Sequence, residues 1–252
     1  MKKYAIAASV LALVVSTSAF AQENVSGFSL AVRTGVSNLN NPDFTITDTF
    51  SDDELETRLK TKSAWMIAGE LGYDFGAIRF GVDVSYANHK VNGLQLRRVN
   101  GTAIGAGDVE DLVDGLVDAE IVDPDALDGL QVDGTTLRTQ SGSIAKLRQV
   151  GIMANLSYDI PVSATVTPYV GIGLGAVGTH VKALGEDDGS IRFAWQARAG
   201  VAFQVTPGVA LTADYTYRQT SAGKLQFGDE ELAYRLGKTK ASQIAAGLRF
   251  TF

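Results

Sequence analysis

The last ten residues of the chain, 243–252, read QIAAGLRFTF and alternate between two kinds of side chain. The bulkier parity consists of Ile244, Ala246, Leu248, Phe250 and Phe252. The other parity consists of Gln243, Ala245, Gly247, Arg249 and Thr251. Because successive side chains of a β-strand point to opposite faces, this period of two predicts a strand with one apolar face and one small, polar face.

Seven earlier segments repeat the alternation, so the chain has eight predicted strands. The earlier segments cover residues 28–35, 65–74, 78–86, 150–160, 170–176, 193–204 and 209–218. Taken together, the segments have a bulky apolar parity that carries Trp, Tyr and Phe near several segment ends. The other parity is mainly Gly, Ala and Ser with isolated charges.

The composition of the two faces decides the class of protein. A soluble sheet packs its apolar face into a core and turns a strongly polar face to water. Here the small face fits the crowded interior of a narrow barrel, and the aromatic segment ends fit the two membrane interfaces. Hydrocarbon also requires a closed sheet, because an open edge would leave backbone groups unpaired. The sequence therefore predicts an all-β, closed antiparallel up-and-down transmembrane barrel of eight strands.

A soluble lipocalin-like barrel is the alternative interpretation. Such a barrel encloses a ligand cavity, which we expect to be apolar. The predicted inner faces of this chain are small and sparsely charged, so the soluble alternative is disfavoured.

The connections between predicted strands alternate in length. Short connections cover residues 75–77, 161–165 and 206–208, whereas long ones cover 37–62, 89–145, 181–190 and 220–240. Outer-membrane barrels have short periplasmic turns and longer extracellular loops. We therefore expect both termini on the periplasmic side and the four long loops outside the cell.

The first 21 residues have the features of a secretory signal peptide. Lys2 and Lys3 precede an apolar stretch over residues 5–15. Ala19-Phe20-Ala21 is a small-x-small cleavage signature in which Ala19 and Ala21 are the small residues, so we expect cleavage before Gln22. Residues 22–252 are then one barrel domain. The chain has no cysteine and a formal charge of −6, which argues against thiolate metal sites and against nucleic acid as a partner.

With these features the chain resembles the small eight-stranded outer-membrane β-barrels of Gram-negative bacteria, the OmpA/OmpX and opacity-protein-like porin group. The run PYVGIGLGA at 168–176 and the C-terminal strand carry the resemblance. It implies residence in the outer membrane, with membrane lipid, lipopolysaccharide and the outer-membrane assembly machinery as partners. In that family a terminal aromatic after alternating apolar residues is the assembly signal, matched here by Ile244, Leu248, Phe250 and Phe252.

Seven charged residues fall on the inner parity of the predicted strands. They are Arg33, Glu70, Arg79, Asp83, Arg198, Asp214 and Arg249. A buried charge is costly unless it is paired and hydrogen-bonded, so we expect a network of salt bridges inside the barrel. The network either fills an interior too narrow for a channel, which we favour, or forms an ion gate or small pore.

The second long loop is strongly acidic. Residues 108–133 contain ten Asp or Glu and no Lys or Arg, and apolar residues recur there at helical spacing. We expect a short amphipathic helix across the barrel mouth that ends at Asp123-Pro124. The loop is either a partner-binding surface or a solvated loop. A calcium site of the EF-hand type is excluded, because Leu127 and Asp128 occupy its fifth and sixth positions, where a ligand and a glycine are needed.

Catalytic residues are not evident. The chain has only two histidines, His89 and His180, both near the outer ends of strands, and neither lies in a His-x-Ser context. We expect no enzymatic activity, no cofactor and no metal. The favoured function is a structural or surface-interaction role; a narrow porin-like channel is the alternative, and a lipid-modifying enzyme at the rim is a weak third.

Overall fold

The computed structural model describes residues 26–118, 130–140, 142–183, 186–225 and 232–252. The predicted signal peptide, with Ala19 and Ala21, lies outside the described residues. Within them, no helix is long and apolar enough to cross a membrane.

The described chain contains fifteen strands and one helix. The first elements are β1 (Gly27–Leu39), β2 (Asp43–Asp48), β3 (Glu54–Thr61), β4 (Ala64–Asp74), β5 (Ile78–Val99), β6 (Thr102–Ala103), α1 (Asp108–Asp118), β7 (Leu130–Asp133) and β8 (Thr136–Thr139). The remaining elements are β9 (Ala145–Asp159), β10 (Val166–Ala183), β11 (Glu186–Thr206), β12 (Val209–Thr220), β13 (Gly223–Leu225), β14 (Leu232–Leu236) and β15 (Thr239–Thr251).

Eight of these strands form a closed antiparallel ring. The order around it is β1, β4, β5, β9, β10, β11, β12 and β15, and β15 pairs again with β1. Each of the eight predicted segments lies within one strand of this ring, except that residues 160 and 252 lie one residue beyond the ends of β9 and β15. Because β1 has a partner on both sides, the ring has no free edge that would leave backbone groups unpaired.

Side chains alternate across the wall of the ring, as the strand at β4 illustrates. Trp65 and Ile67 are 76% and 55% exposed, whereas Met66 and Ala68 between and after them are 5% and 3% exposed. The exposed face of the ring is therefore the bulky apolar one, and the small, polar face is turned inward. An apolar outer surface of this extent suits a membrane and not water.

Two tight turns at one end of the ring depend on glycine. Gly76 between β4 and β5 has φ of 100°, and Gly208 between β11 and β12 has φ of 81°. At the second turn Pro207 precedes Gly208, an order that is common in type II turns. We call this end, with connections 75–77, 160–165 and 207–208, the turn end. The opposite end, with connections 40–63, 100–144, 184–185 and 221–238, is the loop end.

The loop end differs from the prediction, because much of what the sequence indicates as loop is strand. β5 continues to Val99, and β3, β2, β14 and β13 add to it in that order as a sheet that we call the extension. The ladder between β3 and β5 has register shifts at Glu56/Thr57 and Lys60/Thr61. Such bulges break the period of two, which explains why alternation does not reveal these strands.

The interior is packed closely against the ring backbone at Gly200. A Cβ atom added there would lie 2.6 Å from Cζ of Tyr169 and 2.7 Å from Cβ of Asp214. Both neighbours are buried, so they cannot swing into solvent.

We expect Gly200→Ala to lower the free energy of unfolding by about 1–3 kcal/mol, the usual cost of overpacking a filled interior. Urea titration of the protein folded in lipid vesicles measures this change. Gly178→Ala is the matched control, because its added Cβ would meet nothing closer than the carbonyl oxygen of Val150 at 3.8 Å. Equal losses in the two variants would contradict the packing argument.

Candidate functional site

Five charged side chains meet in the middle of the ring. They are Arg33, Glu70, Asp83, Arg198 and Asp214, all between 0% and 8% exposed, and we call them the middle cluster. Arg198 donates from Nη1 to Oε2 of Glu70 at 2.6 Å, and Nη1 of Arg33 lies 3.5 Å from the same oxygen. Arg33 also donates from Nη2 to Oδ2 of Asp83. Arg198 lies 3.5 Å from Asp83 and 3.9 Å from Asp214, so every carboxylate faces at least one guanidinium.

The contact between Arg198 and Glu70 crosses the full width of the ring. Glu70 lies on β4 and Arg198 on β11, and four ladders separate these strands in either direction around the ring. A nitrogen–oxygen distance of 2.6 Å leaves no room for a water molecule between them. The middle of the interior is therefore closed along this line.

Amide side chains extend the middle cluster. Arg218 donates to Oε1 of Gln196 at 2.9 and 2.8 Å and to Oγ of Ser85 at 2.9 Å. Gln196 donates to Asn155 at 2.7 Å, and Asn155 donates to Glu70 at 3.2 Å. This chain connects Arg218 to the central carboxylate through hydrogen bonds alone. A cavity of about 10 Å³ remains beside the cluster, enough for about one water molecule.

A second charged group lies nearer the turn end. Arg79 donates to Asp159 at 2.5 Å, and Arg249 lies 3.5 Å from the same carboxylate oxygen. Cζ of Arg79 and Cζ of Arg249 lie 5.4 and 5.9 Å from the ring centre of Tyr169. The Tyr169 hydroxyl donates to Asp214 at 3.2 Å, so this tyrosine links the two charged groups.

The structure thus divides the seven charges predicted for the interior. Five of them form the middle cluster, and Arg79 and Arg249 pair separately with Asp159. Sequence reasoning missed Asp159, Tyr169 and Arg218 as members. All three lie on the inner parity of their strands and are buried, so parity alone was sufficient to find them.

An apolar cluster that the sequence did not predict fills the loop end of the interior. Its most buried members, each 0% to 3% exposed, are Leu39, Val91, Leu147, Val181, Leu225 and Leu236. Leu225 and Leu236 come from β13 and β14 of the extension, which therefore covers the loop end. We call this group the loop-end apolar cluster.

Helix α1 presents its acidic face to solvent. Val109 is fully buried against Leu96 and Leu137, while Asp111 and Asp114 are exposed. The predicted amphipathic helix is present, but it packs beside β5 and β8 and not across the barrel mouth, which the loop-end apolar cluster occupies. Its predicted end at Asp123-Pro124 lies outside the described residues.

The extension also has a basic face. Lys60 lies near Arg58, Arg138 and Arg97, and partial burial, followed by repulsion from these three guanidinium groups, lowers the pKa of Lys60. Asp43 partly balances them, with its Oδ1 at 2.8 Å from Arg58 and 3.3 Å from Arg97. At the tip of the β2–β3 hairpin, backbone N–H groups of Ser51 and Phe50 lower the pKa of Asp48.

The two histidines are not placed as a catalytic pair at an open rim. His89 is fully buried, and its Nδ1 lies 3.2 Å from the carbonyl oxygen of Lys62. His180 lies on β10 and is half-buried. Within the part of the chain that the structure describes, no three His, Cys, Asp or Glu side chains are grouped to hold a metal ion.

The four residues predicted as an assembly signal lie along the outward face at the chain end. Ile244 and Phe252 are 69% and 76% exposed, and Leu248 and Phe250 are less so. The backbone N–H of Phe252 donates to the carbonyl oxygen of Phe28 at 2.8 Å, so the last residue closes the ladder with β1.

We expect Glu70→Gln to lower the free energy of unfolding by about 3 kcal/mol, because it leaves two buried guanidinium groups short of a carboxylate. Glu56→Gln is the matched control: Glu56 pairs with Arg98 at 3.3 Å near the surface, where such a pair contributes at most about 1 kcal/mol. Urea unfolding from lipid vesicles measures both variants. A loss for Glu70→Gln no larger than that for Glu56→Gln would show that the middle cluster does not stabilise the ring.

We expect Val109→Asp to release α1 from the extension, because a carboxylate cannot stay unpaired among Leu96 and Leu137. Cleavage within residues 104–118 by a protease that cuts after acidic residues should then accelerate by about tenfold or more. Asp111→Asn, at an exposed position, serves as the control. Unchanged cleavage of the Val109→Asp variant would mean that this contact does not hold the helix.

A family model agrees with this architecture. It is described as "outer membrane protein beta-barrel domain" and matches residues 7–250. The curated proteins contain no match to the chain. Among solved structures the chain is similar to Neisserial surface protein A, with 16% identity and a TM-score of 0.49, over 90% of this chain and 98% of that one.

Two further solved structures are similar over most of their length. One is the outer membrane protein OprG from Pseudomonas aeruginosa, with 14% identity, a TM-score of 0.49 and coverage of 92% of this chain and 100% of that one. The other is the outer membrane protease OmpT from Escherichia coli, with 8% identity, a TM-score of 0.44 and coverage of 94% and 100%. The family match covers nearly the whole chain and confirms the predicted resemblance. The protein belongs to the outer membrane protein β-barrel domain family and resides in the outer membrane of a Gram-negative bacterium.

Proposed function

We propose that the chain forms an eight-stranded transmembrane barrel with a closed interior, and that it acts at the cell surface through its extension. The orientation follows from the connections: outer-membrane barrels place short turns in the periplasm and long connections outside. The turn end then faces the periplasm, and the extension with α1 faces the medium.

The observation that carries this proposal is the contact of 2.6 Å between Arg198 and Glu70 across the ring. A conducting pore needs a continuous path for water, and this contact interrupts the path at its middle. The loop-end apolar cluster interrupts it again, with Val91, Leu147 and Leu236 each fully buried. The middle cluster closes the interior with ion pairs, and the loop-end apolar cluster closes it with packed apolar side chains. A small rearrangement that separates the ion pairs would therefore leave the apolar closure in place.

The extension supplies the surface through which such a closed barrel would contact an extracellular partner. Helix α1 is anchored beside the extension through Val109, which packs against Leu96 of β5, and turns Asp111 and Asp114 to solvent. The basic face of the extension, around Lys60, lies on the same folded unit. We propose that these charged faces bind an extracellular partner and that the role of the protein is interaction and not catalysis. The full burial of His89, one of the two histidines, supports this.

A narrow channel is the second candidate function. It is favoured by one observation: Arg198 contacts Glu70 and lies 3.5 Å from Asp83, so it has two carboxylates between which to exchange. Exchange alone would leave the loop-end apolar cluster in place, which is why we rank this function second.

Planar-bilayer recording with the purified full-length barrel separates the two functions. We expect no steady, stepwise open-channel current at either polarity, because the described side chains of the middle cluster and of the loop-end apolar cluster meet inside the ring. A larger porin recorded in the same bilayers shows that the assay detects insertion and conduction. Steady unitary currents from this protein would contradict the closed barrel and favour the channel.

A further inference from the structure

Three lysines stand in line on the outward face of the ring near its loop end. Lys90 on β5 is the direct cross-strand partner of Lys146 on β9, and Lys146 is the direct partner of Lys182 on β10. Arg148 lies two residues from Lys146 on the same face, and all four side chains are exposed. We call Lys90, Lys146, Arg148 and Lys182 the outward basic patch.

Among the described residues, this patch places like charges next to one another along the ladders of β5, β9 and β10. Like charges directly opposite each other on a sheet are destabilising. At this end of the described chain, Arg58 and Arg97 pair with Asp43, Arg98 pairs with Glu56, and Arg138 pairs with Asp133. None of these four salt bridges involves a residue of the patch. In the ladders that hold the patch, Asp187 opposite Lys182 is the one acidic register neighbour. An anion from another molecule would relieve the repulsion between these neighbouring lysines.

The position of the patch identifies the source of that anion. Directly toward the turn end, Val150 and Tyr86 are exposed apolar residues of the lipid-facing band, 46% and 43% exposed. Val150 is two residues from Arg148, and Tyr86 is four residues from Lys90, which is about 7 and 13 Å along the strands. The patch therefore lies just beyond the end of the hydrocarbon-facing surface, at the level of lipid headgroups.

We propose that the outward basic patch binds the phosphate groups of a phosphorylated outer-leaflet lipid whose acyl chains lie on Tyr86, Val150 and Ile152. Long lysine stems lie along the apolar surface and bring the ammonium groups to the headgroup level. Arg148 adds a planar guanidinium that can hold a phosphate through two parallel hydrogen bonds. The site lies on the outer wall of the ring, so it is independent of whether the interior conducts.

The test uses the full-length barrel in neutral detergent and one triple variant, Lys90→Gln, Lys146→Gln and Lys182→Gln together. The matched control is Lys224→Gln, Lys238→Gln and Lys240→Gln, which removes three exposed lysines at the same end. Lys240 lies on β15, four ladders from β9 in either direction around the ring. Heat-modifiable mobility on gels shows that each variant is folded. The probes are bisphosphorylated lipid A, the same lipid without its phosphates, and a soluble sulfated oligosaccharide.

We expect bisphosphorylated lipid A to bind the patch variant about tenfold or more weaker than the wild type, whereas the control variant binds as the wild type does. Lipid lacking phosphates should bind all three proteins equally weakly. Without lipid, the patch variant should unfold at the same temperature as the wild type or higher, because a repulsive row has been removed. Equal lipid binding by the patch variant and the wild type would overturn the proposal. So would full displacement of the lipid by the sulfated oligosaccharide, because the site would then serve a soluble polyanion.

Discussion

Hydrocarbon offers no hydrogen-bond partner, so every backbone N–H and C=O of a membrane-spanning sheet must be paired within the protein. The ring meets this requirement because β1 pairs with β4 on one side and with β15 on the other. Phe252 completes the last ladder through its bond to Phe28. Once the sheet is closed, each strand has one face toward lipid and one toward a confined interior, and the two faces need opposite compositions.

Closure of the sheet also determines how the interior is filled. Eight strands enclose a space only wide enough for side chains, so groups from opposite walls meet at van der Waals or hydrogen-bonding distance. Small residues such as Gly200 are needed where a large inward side chain on the neighbouring strand, here Tyr169, lies over them. The charges are tolerated because each carboxylate of the middle cluster faces a guanidinium, and Tyr169 joins the two charged groups into one network.

Outside the membrane, backbone groups need not all be paired within the protein, and the secondary structure becomes less regular. Water can satisfy backbone groups there, so the strands of the extension are short, contain bulges and give way to a helix at α1. The extension still buries apolar surface: Leu225 and Leu236 close the loop end, and Val109 anchors α1. The exposed side chains of the extension and of α1 are charged on several sides. Such surfaces suit contacts with other molecules outside the membrane and at the membrane surface.

Much of this was predictable from the sequence, because alternation is a local property of the chain. The parity of Ile67 and Ala68 or of Leu248 and Arg249 is visible within a few residues, and it gave the strands of the ring, the lipid-facing side and the inward charges. The same alternation places Asp159, Tyr169 and Arg218 on the inward face, although their role in the charged network was not predicted. The loop-end apolar cluster and the extension were not visible, because bulges interrupt their period and their partners are distant in the chain.

The sequence by itself determined which side chains point inward, and only the tertiary structure decided which of them meet. Arg198 and Glu70 are 128 residues apart and Arg218 and Ser85 are 133 apart, so their contacts depend on the relative register of all the strands between them. Shifting one ladder by two residues would keep every side chain on its own face and still pair different charges. Register is set by the sum of packing and hydrogen bonding around the closed ring, and no single segment of sequence contains it.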